Sequence, residues 1–454
     1  MKRIVLFTAL ALAACATDTA KLELTPEIPA LAAPASAKFE ALSIERWWAL
    51  FGDPELERLV DDALAHNADL ESAVARVREA QASLGMARAA QSPTLDGVVN
   101  TSRNHQSERS FSHHRVSLEA GYEADLWGKL ASATAAARHQ LFATEWARAS
   151  LEWSLTASVA EAYFGLAAVE RQLAISEAVR TSRLNTVLLR KKEQNVGAGS
   201  EFDLRRAEAE LAATESTLAA LEHALALLSG RSPAEIAAGG FSTTQLSETF
   251  PVPNILPQGA ASDLLVRRPD IRQAEAQLAA ANASIDAARA ATLPSIRLSG
   301  SVGSDSQTLS NLFSGPAAIW SLGASLAQPL LDGGRLRARV DEEKARGEQA
   351  LAAYRKSVAT AVADVREAYT NLDLTEQAFQ AERNRVSSLA RAHDLARRGH
   401  SAGALSYLDL LDAERNLYQA QLQQVGAYRD QLIGQVSAFK ALGGGYSSTR
   451  SSSL

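Results

Sequence analysis

The chain repeats itself, and this internal duplication restricts its possible folds more than any other feature. Residues 67–70 match residues 268–271 at an offset of 201, and residues 203–208 match residues 409–414 at an offset of 206. Self-similarity over a long fixed period indicates a repeated structural unit. The sequence therefore predicts two halves of roughly 200 residues each, joined by the proline-rich stretch 250–257.

Proline is absent from the longest part of each half. None occurs between Pro93 and Pro233 or after Pro329, and proline inside a helix removes a hydrogen bond and clashes with the preceding turn. The segments from about 129 to 195 and from about 335 to 398 are rich in Ala, Leu, Glu and Arg. Each predicts a single helix of more than 60 residues, roughly 100 Å long.

Each predicted rod ends at a short run of small residues, and a second helix follows it. The first break contains Gly197 and Gly199, and the second contains Gly403. Apolar residues then recur every seven positions, at Leu204, Leu211, Leu218 and Leu225 and at Leu411, Tyr418, Val425, Leu432 and Phe439. Sevenfold spacing keeps an apolar seam against a neighbouring helix, so each half predicts a helical hairpin.

The segments before the rods have period two. Apolar and polar residues alternate over 116–126 and 320–326, and shorter alternating stretches follow Pro93 and Pro294. Each half therefore predicts a two-stranded hairpin, at about 92–126 and 293–330. A membrane barrel with lipid outside and water inside has this pattern, and so has a soluble half-buried sheet. Four strands cannot close a barrel, so the membrane interpretation requires several copies of the chain.

The N-terminus predicts a secretory signal. A basic start and a short apolar stretch precede Cys15, the single cysteine of the chain. Residues 12–15 resemble the bacterial lipobox, in which cleavage precedes a cysteine that receives lipid; the alternative is an ordinary signal with an incidental cysteine. Ala16 follows, so lipoprotein sorting rules imply the outer membrane.

Composition argues against several classes of protein. The chain has 46 basic and 52 acidic residues and a formal charge of −6, and it has no basic tract, which argues against nucleic acid as a partner. Beyond residue 14 it contains no run of about 18 apolar residues that would span a membrane as a helix.

The chain has no recognisable catalytic motif. No nucleophile with a base, metal cluster or phosphate loop emerges, so neither an enzyme nor a cofactor is expected. His105, His113 and His114 are assigned to a polar loop from 101 to 115, where an exposed loop explains them better than a metal site. Two alternatives stay open: a helical periplasmic scaffold lipoprotein without a pore, and a hydrolase using Asp409 and Asp412.

In its motifs the chain resembles the TolC/OprM-like outer-membrane efflux proteins, most closely the NodT-type lipoproteins that serve resistance-nodulation-division (RND) pumps. The similarity covers nearly the whole mature chain and is carried by the order and spacing of residues 47–56, 67–77, 267–272, 293–295 and 328–335 and the two hairpin breaks. It implies a mainly α fold with a membrane β-barrel part: a homotrimeric α-helical barrel on a shared 12-stranded β-barrel, four strands per chain.

The resemblance also implies partners and a function. The protein is expected to be a passive exit duct in the outer membrane, conducting substrates received from a periplasmic adaptor (membrane fusion) protein and an inner-membrane RND-type pump. The hairpin breaks would form its periplasmic tip. Gly197, Gly199, Ser200, Gly403 and Ser406 would dock the adaptor, and the same small residues also suit a tight turn.

Asp409 and Asp412 are similar in position to the carboxylates that ring the periplasmic aperture in this family. Their spacing of three places both on one helix face, and threefold repetition would make a cation-attracting constriction; a merely solvated face is the alternative. The first half departs from the pattern, with Asp203 but Arg206 opposite Asp412. Glu208 and Glu414 are interpreted as helix-surface acids.

These inferences divide the chain as follows: signal peptide 1–14, lipidated extended segment 15–52, first repeat 53–240 with its helical hairpin at about 129–229, equatorial linker 241–258, second repeat 259–442 with its hairpin at about 334–442, and flexible tail 443–454.

Overall fold

The computed structural model describes residues 38–40, 46–106, 109–229, 255–257 and 267–443. Within them lie seven α-helices: α1 Pro54–His66, α2 Ala68–Ala89, α3 Lys129–Asn195, α4 Glu201–Ser229, α5 Pro269–Ala290, α6 Arg335–Ser401 and α7 Tyr407–Ala441. The strands in the same residues are β1 Lys38–Glu40, β2 Thr94–Gln106, β3 Arg109–Ala124, β4 Ile255–Pro257, β5 Ser295–Ser306 and β6 Ala318–Ala327. The signal peptide, Cys15, most of the linker and residues 444–454 lie outside the described residues.

The two halves repeat one another element by element. Helices α2 and α5 each have 22 residues, and α3 and α6 each have 67. The repeated motifs at 67–70 and 268–271 both begin a helix: Asn67 Oδ1 accepts a hydrogen bond from the Leu70 N–H at 3.0 Å, and Asp270 Oδ1 accepts one from the Ile271 N–H at 2.9 Å. The predicted internal duplication is confirmed.

Four of the strands form one antiparallel sheet in the order β2-β3-β5-β6. Directly paired residues of antiparallel strands share a face, so the register places Val99, Val116 and Ser304 in one row and Leu118, Val302 and Trp320 in another. One face, here called the apolar face, carries large exposed side chains: Val99 is 75% exposed, Trp320 81% and Leu322 83%. The four strands and their alternation agree with the prediction.

The predicted loop from 101 to 115 is wrong. His105 lies in β2, His113 and His114 lie in β3, and the ladder continues to the pair Gln106–Arg109. The prediction failed because apolar alternation ends after Val99, whereas backbone pairing does not depend on the polarity of the side chains.

Strand-to-helix junctions in both halves use the same device. The Asp125 carboxylate accepts hydrogen bonds from the N–H groups of Leu130 and Ala131, at 3.1 and 2.7 Å, where α3 begins. Asp332 accepts equivalent bonds from Gly334 and Leu336 at 2.9 Å each, where α6 begins. A carboxylate at this position satisfies amides that have no partner within the helix.

The described residues divide into two compact units. The first contains residues 76–106, 109–145 and 273–357, and the second contains residues 38–40, 46–75, 146–229, 255–257, 267–272 and 358–443. Each unit draws on both repeats. In the first, the Trp127 indole N–H donates to the Pro294 carbonyl at 2.6 Å, so the end of one strand pair is tied to the start of the other.

The aromatic motif at 47–51 anchors the core of the second unit. Trp47 stacks on Phe439 of α7 with ring centroids 5.5 Å apart, and Phe51 packs against Phe164 of α3 at 5.0 Å. Buried Asp53 begins α1 by accepting hydrogen bonds from the N–H groups of Glu55 and Leu56, and it also accepts one from the Tyr163 hydroxyl. The motif therefore joins the segment before α1 to both long hairpins.

Arg268, just before α5, links four elements of the second unit. Its guanidinium pairs with Asp270 at 2.7 Å and with Asp364 of α6 at 2.8 Å. It also donates to the Ala441 carbonyl at 3.2 Å and lies 5.4 Å from the ring of Trp153 in α3. Burial alone would lower the pKa of Arg268, but the two carboxylates together raise it.

Of the predicted linker at 241–258, the structure describes only β4. There, residues 255–257 pair in parallel with residues 38–40.

No helix in the described part of the chain combines the length and the apolar content that crossing a membrane requires.

Candidate aperture at the ends of the helical hairpins

The first hairpin (α3–α4) and the second hairpin (α6–α7) turn in the same way. Gly197 and Gly403 both have φ of 74°, a left-handed conformation that disfavours side chains. In the first turn the N–H groups of Ala198 and Gly199 donate to the Glu193 carbonyl, and in the second those of Ala404 and Leu405 donate to the Gly399 carbonyl. Gly197 and Gly403, to which the family resemblance gives a docking role, therefore end the long helices.

Each hairpin has a second glycine at a close contact between the end of its long helix and the turn. In the first hairpin this glycine lies in the turn, and in the second it lies in the helix. A Cβ on Gly199 would lie 2.9 Å from the Cβ of Glu193. In the second hairpin the equivalent pair is reversed: Gly399 stands where the first has Glu193, and its Cβ would lie 2.7 Å from Leu405. Each turn admits one side chain at this contact, so the two tips share a backbone and expose different residues.

Ser406 and Asp409 form a reciprocal cap at the start of α7. Ser406 Oγ accepts a hydrogen bond from the Asp409 N–H at 3.2 Å, and the Asp409 carboxylate accepts from the Ser406 N–H at 3.0 Å and from its hydroxyl at 2.6 Å. This arrangement is a capping box. The bonds from Ser406 lower the pKa of Asp409, so the exposed carboxylate carries a stabilised negative charge.

The predicted neighbour Asp412 is exposed as well, but its charge is partly balanced. It accepts hydrogen bonds from Arg415 at 2.7 Å and from the Asn416 amide at 3.1 Å. Asp409 is bonded by the neutral side chain of Ser406, whereas Asp412 is paired with the cation of Arg415. The two carboxylates therefore contribute unequally to any field at the tip.

The first hairpin has a different charge arrangement. Asp203 is half-buried in the first turn of α4, and Ser200 Oγ accepts a hydrogen bond from the Phe202 N–H at 3.2 Å. The Arg206 guanidinium lies over the Phe202 ring at 5.5 Å. Glu208 pairs with Arg205 at 3.0 Å, which agrees with its interpretation as a helix-surface acid.

A cluster that the sequence analysis missed joins the two hairpins near their tips. The Arg190 guanidinium lies 4.1 Å from the ring centroid of Tyr407, pairs with Glu193 at 2.8 Å and donates to His400 Nε2 at 3.2 Å. Because guanidinium has no acceptor, Nε2 accepts, and His400 Nδ1 carries the proton that it donates to the Leu405 carbonyl at 3.1 Å. Arg190 thus contacts both sides of the second turn.

Tyr407 is the buried centre of this cluster. It packs with Leu411 and with Ala207 of the first hairpin, and its hydroxyl is buried without a hydrogen-bond partner among the described residues. Burial raises the pKa of Tyr407. A buried polar group that stays unsatisfied costs free energy, so the contact between the tips is less stable than an apolar or fully bonded one.

A buried arginine, Arg183, lies seven residues before Arg190 in α3. Arg183 pairs with Glu210 of α4 at 3.1 Å, donates to Thr214 Oγ1 at 2.5 Å and lies 5.5 Å from the ring of Tyr418 in α7. Ser176, seven residues before it, hydrogen-bonds the Tyr418 hydroxyl at 2.8 Å. Residues 176, 183 and 190 form a polar row at heptad spacing, and this spacing was the signal that could have revealed the cluster.

Comparison with known proteins agrees with this architecture. The family model described as outer membrane efflux protein matches residues 59–227 and 260–444. The pyoverdine export outer membrane protein OpmQ of Pseudomonas aeruginosa is 34% identical, with 99% of this chain and 98% of that protein covered. The solvent efflux pump outer membrane protein SrpC of Pseudomonas putida is 33% identical, with 87% of each chain covered. The solved outer-membrane channel OprN superposes with a TM-score of 0.81 at 28% identity, covering 94% of this chain and 99% of that one.

The duplicated helical hairpins and the four-stranded sheet with one apolar face define a chain of the outer-membrane channel class. The chain belongs to the outer membrane efflux protein family. It is therefore an outer-membrane protein of TolC-like fold, as the sequence predicted, and its family consists of efflux channels.

Proposed function

We propose that three copies of this chain form the exit duct of a tripartite efflux system. The observation that carries the proposal is the sheet: β2 and β6 are its two edges, and its apolar face is exposed. Open edges in hydrocarbon leave backbone groups unpaired at several kcal/mol each. Three copies joined edge to edge give twelve strands, and β2 of each copy then pairs with β6 of the next, so no edge is left open.

Closure can be tested by crosslinking between copies, because Cys15 is the one native cysteine. Cysteines introduced at Asn100 on β2 and Ser321 on β6 lie on the polar face of opposite edges. Bismaleimides of graded length should give a ladder that ends at three chains. A ladder that ends at two chains or extends beyond three would contradict the closed trimer.

The aperture of this duct is assigned to the hairpin tips. Threefold repetition of Asp409 and Asp412 would surround the axis with carboxylates, and Asp203 would add charge from the first hairpin. Support comes from the exposure of Asp409 and Asp412 and from the Ser406 bonds that hold Asp409 ionised. Rings of carboxylates favour cations at a constriction.

The Arg190–Tyr407 contact is proposed to hold the aperture narrow. It joins α3 to the start of α7, and partly satisfied buried polar groups make it a contact that separates at modest cost. Movement of the second hairpin away from the first would break it. The contact then serves as a latch between a narrow and a wide tip.

The assignment of the hairpin tips to the periplasmic end of the duct also indicates the protein's partners. The turns at Gly197, Gly199, Ser200, Gly403 and Ser406 would receive a periplasmic adaptor protein, which connects the duct to an inner-membrane RND-type pump. Cys15 would carry the lipid that anchors the N-terminus in the outer membrane. The named cargoes of two relatives differ, pyoverdine for one and solvent for the other, which supports a passive duct whose cargo is selected elsewhere.

A further inference from the structure

The sheet separates charge by face. Its strands contain four carboxylates, and the register and alternation place all four on the face opposite the apolar one: Asp96, Glu119, Glu123 and Asp305. Arg115 and Arg297 share that polar face, paired in register with Asp305 and Glu123. The apolar face therefore carries no acidic residue along the four described strands.

Beyond the row of Val99 and Val116, the apolar face becomes basic. The next rows toward the end of β2 pair Thr101 with His114, Arg103 with Ser112 and His105 with Ser110. Arg103, His105 and His114, here called the basic patch, thus lie on one face. Arg103 and His105 are exposed and His114 is half-buried.

Spacing along the strands sets the depth of this patch. At a rise of about 3.4 Å per residue, His114 lies roughly 7 Å beyond Val116, and Arg103 and His105 lie roughly 14 and 20 Å beyond Val99 along the strand. If the apolar rows occupy hydrocarbon, as the proposed function requires, the patch begins at the headgroup layer and extends outward from it. This inference therefore rests on that function.

The patch has donors available for an anionic ligand. His105 Nδ1 is 3.1 Å from Ser110 Oγ, and His114 Nδ1 is 3.4 Å from Thr101 Oγ1. Each imidazole uses Nδ1 for its neighbour, which leaves Nε2 to meet an external group. The Arg103 guanidinium adds a planar fork of donors that suits phosphate oxygens.

We propose that the basic patch binds the phosphates of lipid A, the phosphorylated glycolipid anchor of lipopolysaccharide, in the outer leaflet around the duct. Charge complementarity supports this ligand, because the Arg103 cation and two imidazole donors share a face that carries no carboxylate in the described strands. Continuity supports it too, since the patch extends the apolar rows that would contact the acyl chains. Lipid contacted in this way would fix the height and tilt of the barrel.

The test compares two forms of lipid A on the purified full-length trimer. Native mass spectrometry would measure retention of bisphosphorylated and of monophosphoryl lipid A from mixed micelles. The variant Arg103→Gln/His105→Gln/His114→Gln removes the patch. The matched control, Arg297→Gln, removes an exposed cation from the polar face of the same sheet.

The wild type should retain bisphosphorylated lipid A preferentially. The triple variant should lose affinity by about tenfold, as expected for charge-assisted bonds to phosphate, and the Arg297 control by less than about twofold. Equal loss in both variants, or no preference for the second phosphate, would overturn the proposal. A wild type that conducts ions and shows no such preference would refute lipid recognition alone, whereas a silent wild type would refute the proposed duct.

Discussion

The guanidinium of Arg190 lies over the ring of Tyr407 at 4.1 Å, although the two residues belong to different helical hairpins. Arg190 also donates to His400, so it contacts the second hairpin on both sides of its turn. If this contact is the latch, its loss should shift the channel from a narrow tip toward a wide one.

Arg190→Ala should widen the tip and raise single-channel conductance in planar bilayers. Removal of a partly desolvated cation–π contact costs about 1–2 kcal/mol, enough to shift a two-state equilibrium by roughly tenfold. Arg205→Ala is the matched control, since Arg205 is an exposed arginine of the first hairpin that pairs within its own helix. Equal effects of the two substitutions would remove Arg190 from the latch.

Substitutions of Asp412 and of its partner Arg415 should change cation block of the channel in opposite directions. Asp412→Asn should weaken block of the channel by trivalent cations applied from the periplasmic side. Arg415→Gln should strengthen the block by about tenfold or less, because it frees the Asp412 charge in an exposed site. Titration of the blocking cation against current measures both, and changes in the same direction would contradict the aperture assignment.

Asp409 predicts the pH dependence of that block. Its pKa is lowered in the folded protein by Ser406, so its negative charge and its cap are present above the ordinary carboxyl pKa and are lost as pH falls through the lowered value. Ser406→Ala should move the loss of block to higher pH while it leaves the charge at neutral pH intact. Identical profiles for the variant and wild type would show that Asp409 does not govern the block.

The buried contacts of Arg268 predict an effect on stability. Arg268→Ala removes a buried guanidinium that bonds Asp364 and the Ala441 carbonyl, and it should destabilise the second unit by about 2 kcal/mol. Hydrogen exchange at the start of α5 should report the loss. Arg429→Ala, which removes an exposed arginine paired with Asp430, should cost less than about 1 kcal/mol; an equal cost would contradict the buried-link interpretation.

The local features of this fold were predictable from the sequence because each depends on spacing along the chain. Missing prolines indicated the long helices, alternation indicated the strands, and heptads indicated which residues of α7 are buried, including Leu411, Tyr418 and Leu432. The extension of the strands past Val99 was not predictable in this way, because polar residues on both faces remove the alternation signal while the ladder continues.

The site was predictable in part. The capping bond between Ser406 and Asp409 and the pairing of Asp412 with Arg415 are short-range, and their spacing of three was visible. The contact between Arg190 and Tyr407 joins residues more than two hundred positions apart. It depends on how two long helices align against each other, which spacing within either helix does not determine.

The central claim, a continuous water-filled duct made by three chains, is tested most directly by the conductance of the purified lipid-reconstituted protein in a planar bilayer. The account predicts discrete unitary steps that trivalent cations block from the side of the hairpin tips. Reconstituted trimers that give no steps, in the wild type and in Arg190→Ala alike, would contradict it.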